Sequence, residues 1–478
     1  MCPPWNWGTI AFWGTLLGVS RMRKVGLVPL VVLFLAFISA PLFAQVSTDP
    51  YYEFLMGCHL EGQGDALAAL EAFERAVKLA PTSATLHAEI SAFYLRQNRS
   101  DEAKKFARKA LDLDSKNIEA QRVLGLVLSV NPTLVVASEA VNYLQQVVTS
   151  PSGATDSQVQ FNLGRLYLLT GDFTGAIEVL QQLIVQRPYF SQARLMLARA
   201  QKAAGLNDAA IATLESVEYA NTRPYNQFQL YSTLGQYYED ANRWASAAAA
   251  YAQALAISPE NRDLRIRQAS MLLALSGRDN ASQALNVLHP LFERNRLDTN
   301  VLYLQSQAYR SLGNLFQAEQ VAREMLTLEP NSQRGAYALS QVFGQGHRYQ
   351  DLIDYLEEFL ALPSSDGKAS IALFSYLAYA YQVLGNYDKA IGVLSQAKEV
   401  TPDSPSFDVA IIQASLAAKR YAAALDRAVE AQTQYPQDQR FLQLQARALL
   451  YSGDSLRALT MVEELVEENS NNVSSIIV

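Results

Sequence analysis

Eleven alanines, each inside an apolar stretch of helical pattern, recur along the chain at nearly constant spacing. They are Ala69, Ala103, Ala140, Ala176, Ala210, Ala247, Ala284, Ala318, Ala390, Ala424 and Ala458. Successive intervals are mostly 34 residues and otherwise 36 or 37, and Leu352 fills the one long gap before Ala390. Twelve residues before many of these rungs stands a small residue: Gly57, Ser91, Gly164, Ala198, Gly235, Ser306 or Ala378. Twelve residues after, proline recurs as Pro81, Pro188, Pro259, Pro330, Pro402 and Pro436. A period of this length is the mark of a repeat array, in which one unit cannot bury its apolar face and stacked neighbours supply the core. The 478 residues therefore do not divide into conventional domains by length.

Each marker has a steric reason. A small residue on the first helix of a unit lets the second helix approach closely, and the alanine is its counterpart. A bulkier side chain there would overpack the pair at a cost of about 1–3 kcal/mol. Proline lacks an amide hydrogen and stops the second helix. Between the two helices lie Gly64-Asp65, Gly171-Asp172, Gly313-Asn314, Gly385-Asn386 and Gly453-Asp454. Glycine accepts the left-handed conformation that closes one helix, and Asp or Asn can cap the next.

With Gly57, Leu60, Ala69, Phe73, Ala76 and Pro81 in one copy, and Leu234, Gly235, Tyr238, Ala247, Tyr251, Ala254 and Pro259 in another, the chain resembles the tetratricopeptide repeat family. The clearest copies are Tyr51–Pro81, Ser157–Pro188, Phe228–Pro259, Thr299–Pro330 and Ile371–Pro402. The resemblance implies an all-α, right-handed superhelical solenoid of about twelve helix–turn–helix repeats over residues 50–470, with 471–478 as a tail or partial cap. The units depart from the pattern at Asn131-Pro132, at Gly277–Asn280, at Gly344-Gln345-Gly346-His347 and at the Pro363–Gly367 loop.

Ahead of the repeats, Arg21, Arg23 and Lys24 precede an uncharged stretch from Val25 to Ala44. Basic residues, an apolar core and a small residue before Gln45 give residues 22–44 the pattern of a signal peptide. At about 20 residues the stretch is also long enough for a retained anchor. Either reading puts the repeats outside the cytoplasm, periplasmic or secreted, because the positive charges come first. Residues 1–21 read as a start-site artefact, since Met22 opens the signal pattern.

Chemistry is sparse. The histidines, His59, His87, His289 and His347, fall in different repeats, and none stands at metal-ligand spacing with Cys or a carboxylate. Nucleophile elbow, phosphate loop and dinucleotide fingerprint are missing from the sequence. A formal charge of −7 argues against a broad nucleic-acid-binding face. The expectation is a non-catalytic protein without cofactor or metal.

The resemblance implies that the concave face is lined by the first helix of each unit, with one lining position directly after the small residue. That position, with neighbours on the same face, gives a candidate groove of Arg165, Arg199, Lys202, Gln236, Tyr303, Gln307, Tyr337, Gln341 and Tyr379. The cations can meet a carboxylate of a peptide or acidic glycan, and the tyrosines can stack on a chain-like ligand. At the start of the array the same position is apolar: Cys58, Ala92 and Leu126. Some family members grip acidic C-termini with a Lys/Asn/Arg clamp. Phe54 and Cys58 stand where that clamp needs Lys and Asn, which disfavours the same use here. The expected function is a protein–protein interaction scaffold whose only membrane contact is its N-terminal segment. The alternative is a polysaccharide-binding factor in envelope assembly or export.

Overall fold

A computed structural model describes residues 49–468 apart from 152, 218–221 and 362–370. The signal or anchor segment, the residues before it, the 471–478 tail and the Pro363–Gly367 loop lie outside the described residues. Among the described residues there are twenty-four α-helices, one short 3-10 turn and no strand. The chain falls into two compact units divided after Glu218.

The first unit holds α1 (Pro50–Gly62), α2 (Ala66–Leu79), α3 (Ala84–Arg96), α4 (Ser100–Leu113), α5 (Ile118–Leu128), α6 (Leu134–Val148), α7 (Ser157–Thr170), α8 (Phe173–Gln186), α9 (Ser191–Ala203) and α10 (Asn207–Glu215). The second holds α11 (Pro224–Asp240), α12 (Trp244–Ile257), α13 (Arg262–Ala274), α14 (Arg278–Arg294), α15 (Thr299–Leu312), α16 (Leu315–Leu328), α17 (Gln333–Gln345), α18 (Tyr349–Ala361), α19 (Ile371–Val383), α20 (Tyr387–Val400), α21 (Pro405–Ala417), α22 (Tyr421–Gln434), α23 (Arg440–Ser452) and α24 (Ser455–Glu468). Within each unit every helix packs on the next, and odd-numbered helices also pack on one another: α3 on α5, α5 on α7, α15 on α17, α17 on α19. The first helices of the pairs thus form an inner row.

All twelve rungs, Leu352 included, are buried. A Cβ added at Gly164 would lie 2.6 Å from Leu180, and one at Gly235 would lie 2.6 Å from the Tyr251 ring. The steric partner of the small residue is therefore the side chain one turn after the central alanine. Where the small residue is Ser306, its hydroxyl donates to the Ala318 carbonyl at 3.0 Å, tying the pair together at the alanine itself.

Turns and stops follow the same economy. The turn residue with positive φ is usually glycine, but Asn98, Asn242, Ser276, His347 and Lys419 occupy it elsewhere. Within the divergent Gly344-Gln345-Gly346-His347 segment, α17 runs on through Gly344 and Gln345, and His347 is the turn residue. Asp65 and Asp172 cap α2 and α8 through their side chains, whereas Asn314 and Asn386 make no such bond. The residue before each marker proline holds one conformation, with φ between −125 and −134° and ψ between 70 and 81° at Ala80, Arg187, Ser258, Glu329, Thr401 and Tyr435. The proline ring excludes the helical region for its predecessor. Asp114 and Asn295, which end helices without a proline, sit at ψ 99 and 97°.

Candidate functional site

In the first unit, the inner row begins closed. Ala92 and Leu126, at the lining position, are 1% and 3% exposed, and Phe54 and Cys58 pack against the same core, with the Phe54 and Phe73 rings 5.9 Å apart. Ala92 and Leu126 are thus sealed in the core and present no surface to a partner, while Phe54 and Cys58 are half-buried. From α7 onward the row turns polar. Arg165 donates to the Ser129 carbonyl at the end of α5 and to Asn162 Oδ1 at 3.3 Å, so its fork is partly spent on its own repeat stack. Arg199, on α9, is exposed, and Lys202 lies one turn further along the same helix, half-buried.

In the second unit, Gln236 is exposed on α11. One turn later Glu239 accepts from the buried Tyr251 hydroxyl at 2.6 Å and from Arg267 at 2.9 Å. The densest arrangement lies on α15, α17 and α19. Arg310 donates to Gln307 Oε1 at 2.9 Å, Gln307 Nε2 donates to Gln341 Oε1 at 2.6 Å, and the Tyr376 phenol lies beside Gln341. Donors and acceptors run head to tail from α15 to α17, a chain in which each bond polarises the next. Arg310 also reaches Gln345 Oε1 at 3.2 Å.

Aromatic rings flank this chain. The Arg334 guanidinium lies 4.3 Å above the Tyr303 ring and donates to Asn300 Oδ1 at 2.6 Å. Tyr337 and Tyr376 meet edge to face with centroids 5.7 Å apart. Burial pushes the Tyr303 phenol above its ordinary pKa, although Arg334 and Arg310 pull against the shift. Burial raises Tyr376 likewise. Both phenols stay protonated donors at neutral pH.

Of the candidates read from sequence, Tyr303, Gln307, Tyr337 and Gln341 thus come together in one network. Tyr379 lies on α19 but is exposed, and its ring packs on Tyr349 at 6.0 Å. Sequence reasoning missed Arg334, Asn300, Gln345 and Tyr376. Asn300 and Arg334 were findable, because they lie six residues before Ser306 and Ser340, one helical turn ahead of the candidates Tyr303 and Tyr337. Tyr376 sits one residue off the expected register. Also missed is a buried ion cluster: Asp408, with no exposure, accepts from Lys398 at 2.6 Å and from Arg427 at 2.7 Å, joining α20, α21 and α22.

Among the described residues no group of three or more His, Cys, Asp and Glu could hold a metal ion, and no helix is long and apolar enough to cross a membrane. His347 donates to or accepts from Tyr349 at 3.0 Å in its turn.

Two family models described as tetratricopeptide repeat match the chain, one over residues 60–127 and 167–229, the other over 137–189 and 377–438. A search of curated proteins finds no match. Solved structures similar to it include yeast Tom70, at 12% identity over 89% of this chain and 97% of that one, with a TM-score of 0.39. A tetratricopeptide repeat protein from Parabacteroides merdae is 16% identical over 61% of this chain and 98% of its own, TM-score 0.39. YrrB, described as having an unusual peptide-binding site, is 19% identical over 40% and 95%, TM-score 0.35. With segments matched in both units and twelve helix pairs built on one plan among the described residues, the fold is all-α and made of tetratricopeptide-like repeats.

Proposed function

We propose that the chain is a non-catalytic scaffold that holds a segment of a protein partner on the inner row of its second unit. Proteins of such repeats generally act as protein-interaction scaffolds. The observation that carries the reading is the Arg310–Gln307–Gln341 chain flanked by Tyr303, Tyr337 and Tyr376. Primary amides offer donor and acceptor together and so match an extended backbone, while tyrosines supply rigid contact area. The same arrangement can serve a sugar polymer, and a polysaccharide is the second reading because stacked phenols beside amides suit a pyranose face as well.

The proposal includes location. Residues 22–44 act as signal peptide or anchor and place the repeats outside the cytoplasm; the intact mass of protein from its native host tests this. A mass beginning at Gln45 means release, a mass retaining Val25–Ala44 means anchoring, and recovery from the cytoplasm sinks the location. The partner is tested by capture with the full chain beside a Tyr337→Ala, Gln341→Ala variant. A protein lost only from the variant supports the scaffold, glycan recovered without protein favours the second reading, and identical captures overturn the assignment of this row.

A further inference from the structure

We infer that the segment held by this row is acidic: α15, α17 and α19 contain no carboxylate of their own, and their two guanidinium charges await an anionic chain. This rests on the scaffold reading above and adds the chemistry of what is bound. Across the three helices there is no Asp or Glu, and the only charged residues are Arg310 and Arg334. The chain as a whole carries an acidic excess, 46 Asp+Glu against 39 Lys+Arg, so this row runs against the composition.

Between α15 and α19 the helical acids lie on the second helices of the pairs, α16 and α18. Glu319 on α16 takes Arg323 at 2.8 Å and Arg348 at 2.6 Å, while α18 alone carries Asp351, Asp354, Glu357 and Glu358. Asp298, which caps α15, is already paired with Arg262, and elsewhere in the unit Arg267 pairs with Glu239 and Arg427 with Asp408. Arg310 and Arg334 instead meet neutral groups: amide oxygens of Gln307, Gln345 and Asn300, and the face of Tyr303. Among the described residues neither takes part in an ion pair.

A carboxylate brings full opposite charge and two oxygens that match the planar guanidinium fork, which a single amide oxygen does not. The amides that now occupy Arg310 and Arg334 are therefore replaceable partners, and the exchange releases Gln307, Gln345 and Asn300 to the backbone of the arriving chain. A row of one charge sign also steers an oppositely charged segment toward it. The occupant is an extended polypeptide segment bearing Asp or Glu at two places.

The test is display of random 12-residue peptides against the full-length protein, an Arg310→Gln, Arg334→Gln double variant and Tyr337→Ala. The expected result is that the unaltered protein enriches peptides richer in Asp and Glu than the input. Their affinity should fall about tenfold or more in the double variant, and should weaken as salt is raised. Unchanged far-UV circular dichroism shows that the variants fold. Enriched peptides that are lost with Tyr337→Ala but are neutral or basic, or that bind the double variant equally well, overturn the acidic assignment and leave the scaffold intact. If no peptide enriches in a Tyr337-dependent way, the scaffold reading itself fails. An oligogalacturonate probe that binds with Arg310 and Arg334 dependence while peptides do not overturns the polypeptide assignment in favour of an anionic glycan.

Discussion

The first three pairs of the first unit and the α15–α19 stretch of the second share a framework and differ in what they do with its inner row. At the position after the small residue, the first unit places Ala92 and Leu126 and buries them. The second places Gln307 and Gln341 there and leaves them half-buried and hydrogen-bonded. Small residue, central alanine and turn are interchangeable between the two. What differs is the side chain at one register, and with it whether a row of helices becomes interior or surface. Fold and lining are thus set by separate positions, so one can be altered while the other stands.

The second unit also holds a charge at its heart, and removing it is the most severe way to break the comparison. Asp408→Ala leaves Lys398 and Arg427 facing each other without their carboxylate, and should cost about 3–5 kcal/mol. Trp244 on α12, the only tryptophan among the described residues, reports that loss by fluorescence in urea unfolding of the second unit.

Exchanging the linings is the direct test. Leu126→Gln places an amide in a sealed row and should destabilise the protein by about 2–4 kcal/mol, read by far-UV circular dichroism. Gln341→Leu, in the open row, should change stability by less than about 1 kcal/mol while lowering partner capture. Equal losses from the two exchanges would mean that the rows do not differ as described.

The framework should respond alike in both units. Gly164→Val and Gly235→Val each drive a side chain into the facing residue, Leu180 or Tyr251, and each should cost about 1–3 kcal/mol. A marked difference between them would show that the close approach matters in one unit only. The smallest expected effect is a gain. Lys419 holds a φ of 58° in the turn before α22, and Lys419→Gly should raise stability by about 1 kcal/mol in the same unfolding experiment.

The repeat was legible in the sequence because its causes are local. Close approach, left-handed turns and pre-proline geometry act within a few residues of the markers that announce them. The lining was legible only where register decides it. Tyr303, Gln307, Tyr337 and Gln341 followed from counting, and Arg334 would have followed from the same count. Tyr376 would not, because a helix face is broad enough for a residue one step aside to reach its neighbour. That Ala92 and Leu126 are interior depends on how closely successive first helices approach, which an apolar letter at a groove position suggests but does not fix. The Asp408 cluster joins three helices, and one acid among the apolar residues of α21 was its only trace.

The uniform residue before each marker proline has a consequence for how such a protein lengthens. Because Ser258–Pro259 and Glu329–Pro330 hold the chain in the same conformation, splicing Ser258 directly onto Pro330 would recreate a joint the protein already uses. Whole repeats can therefore be lost or duplicated between prolines without a new connection being invented. The reach of the inner row becomes a matter of gene arithmetic, adjustable in steps, while its chemistry evolves residue by residue.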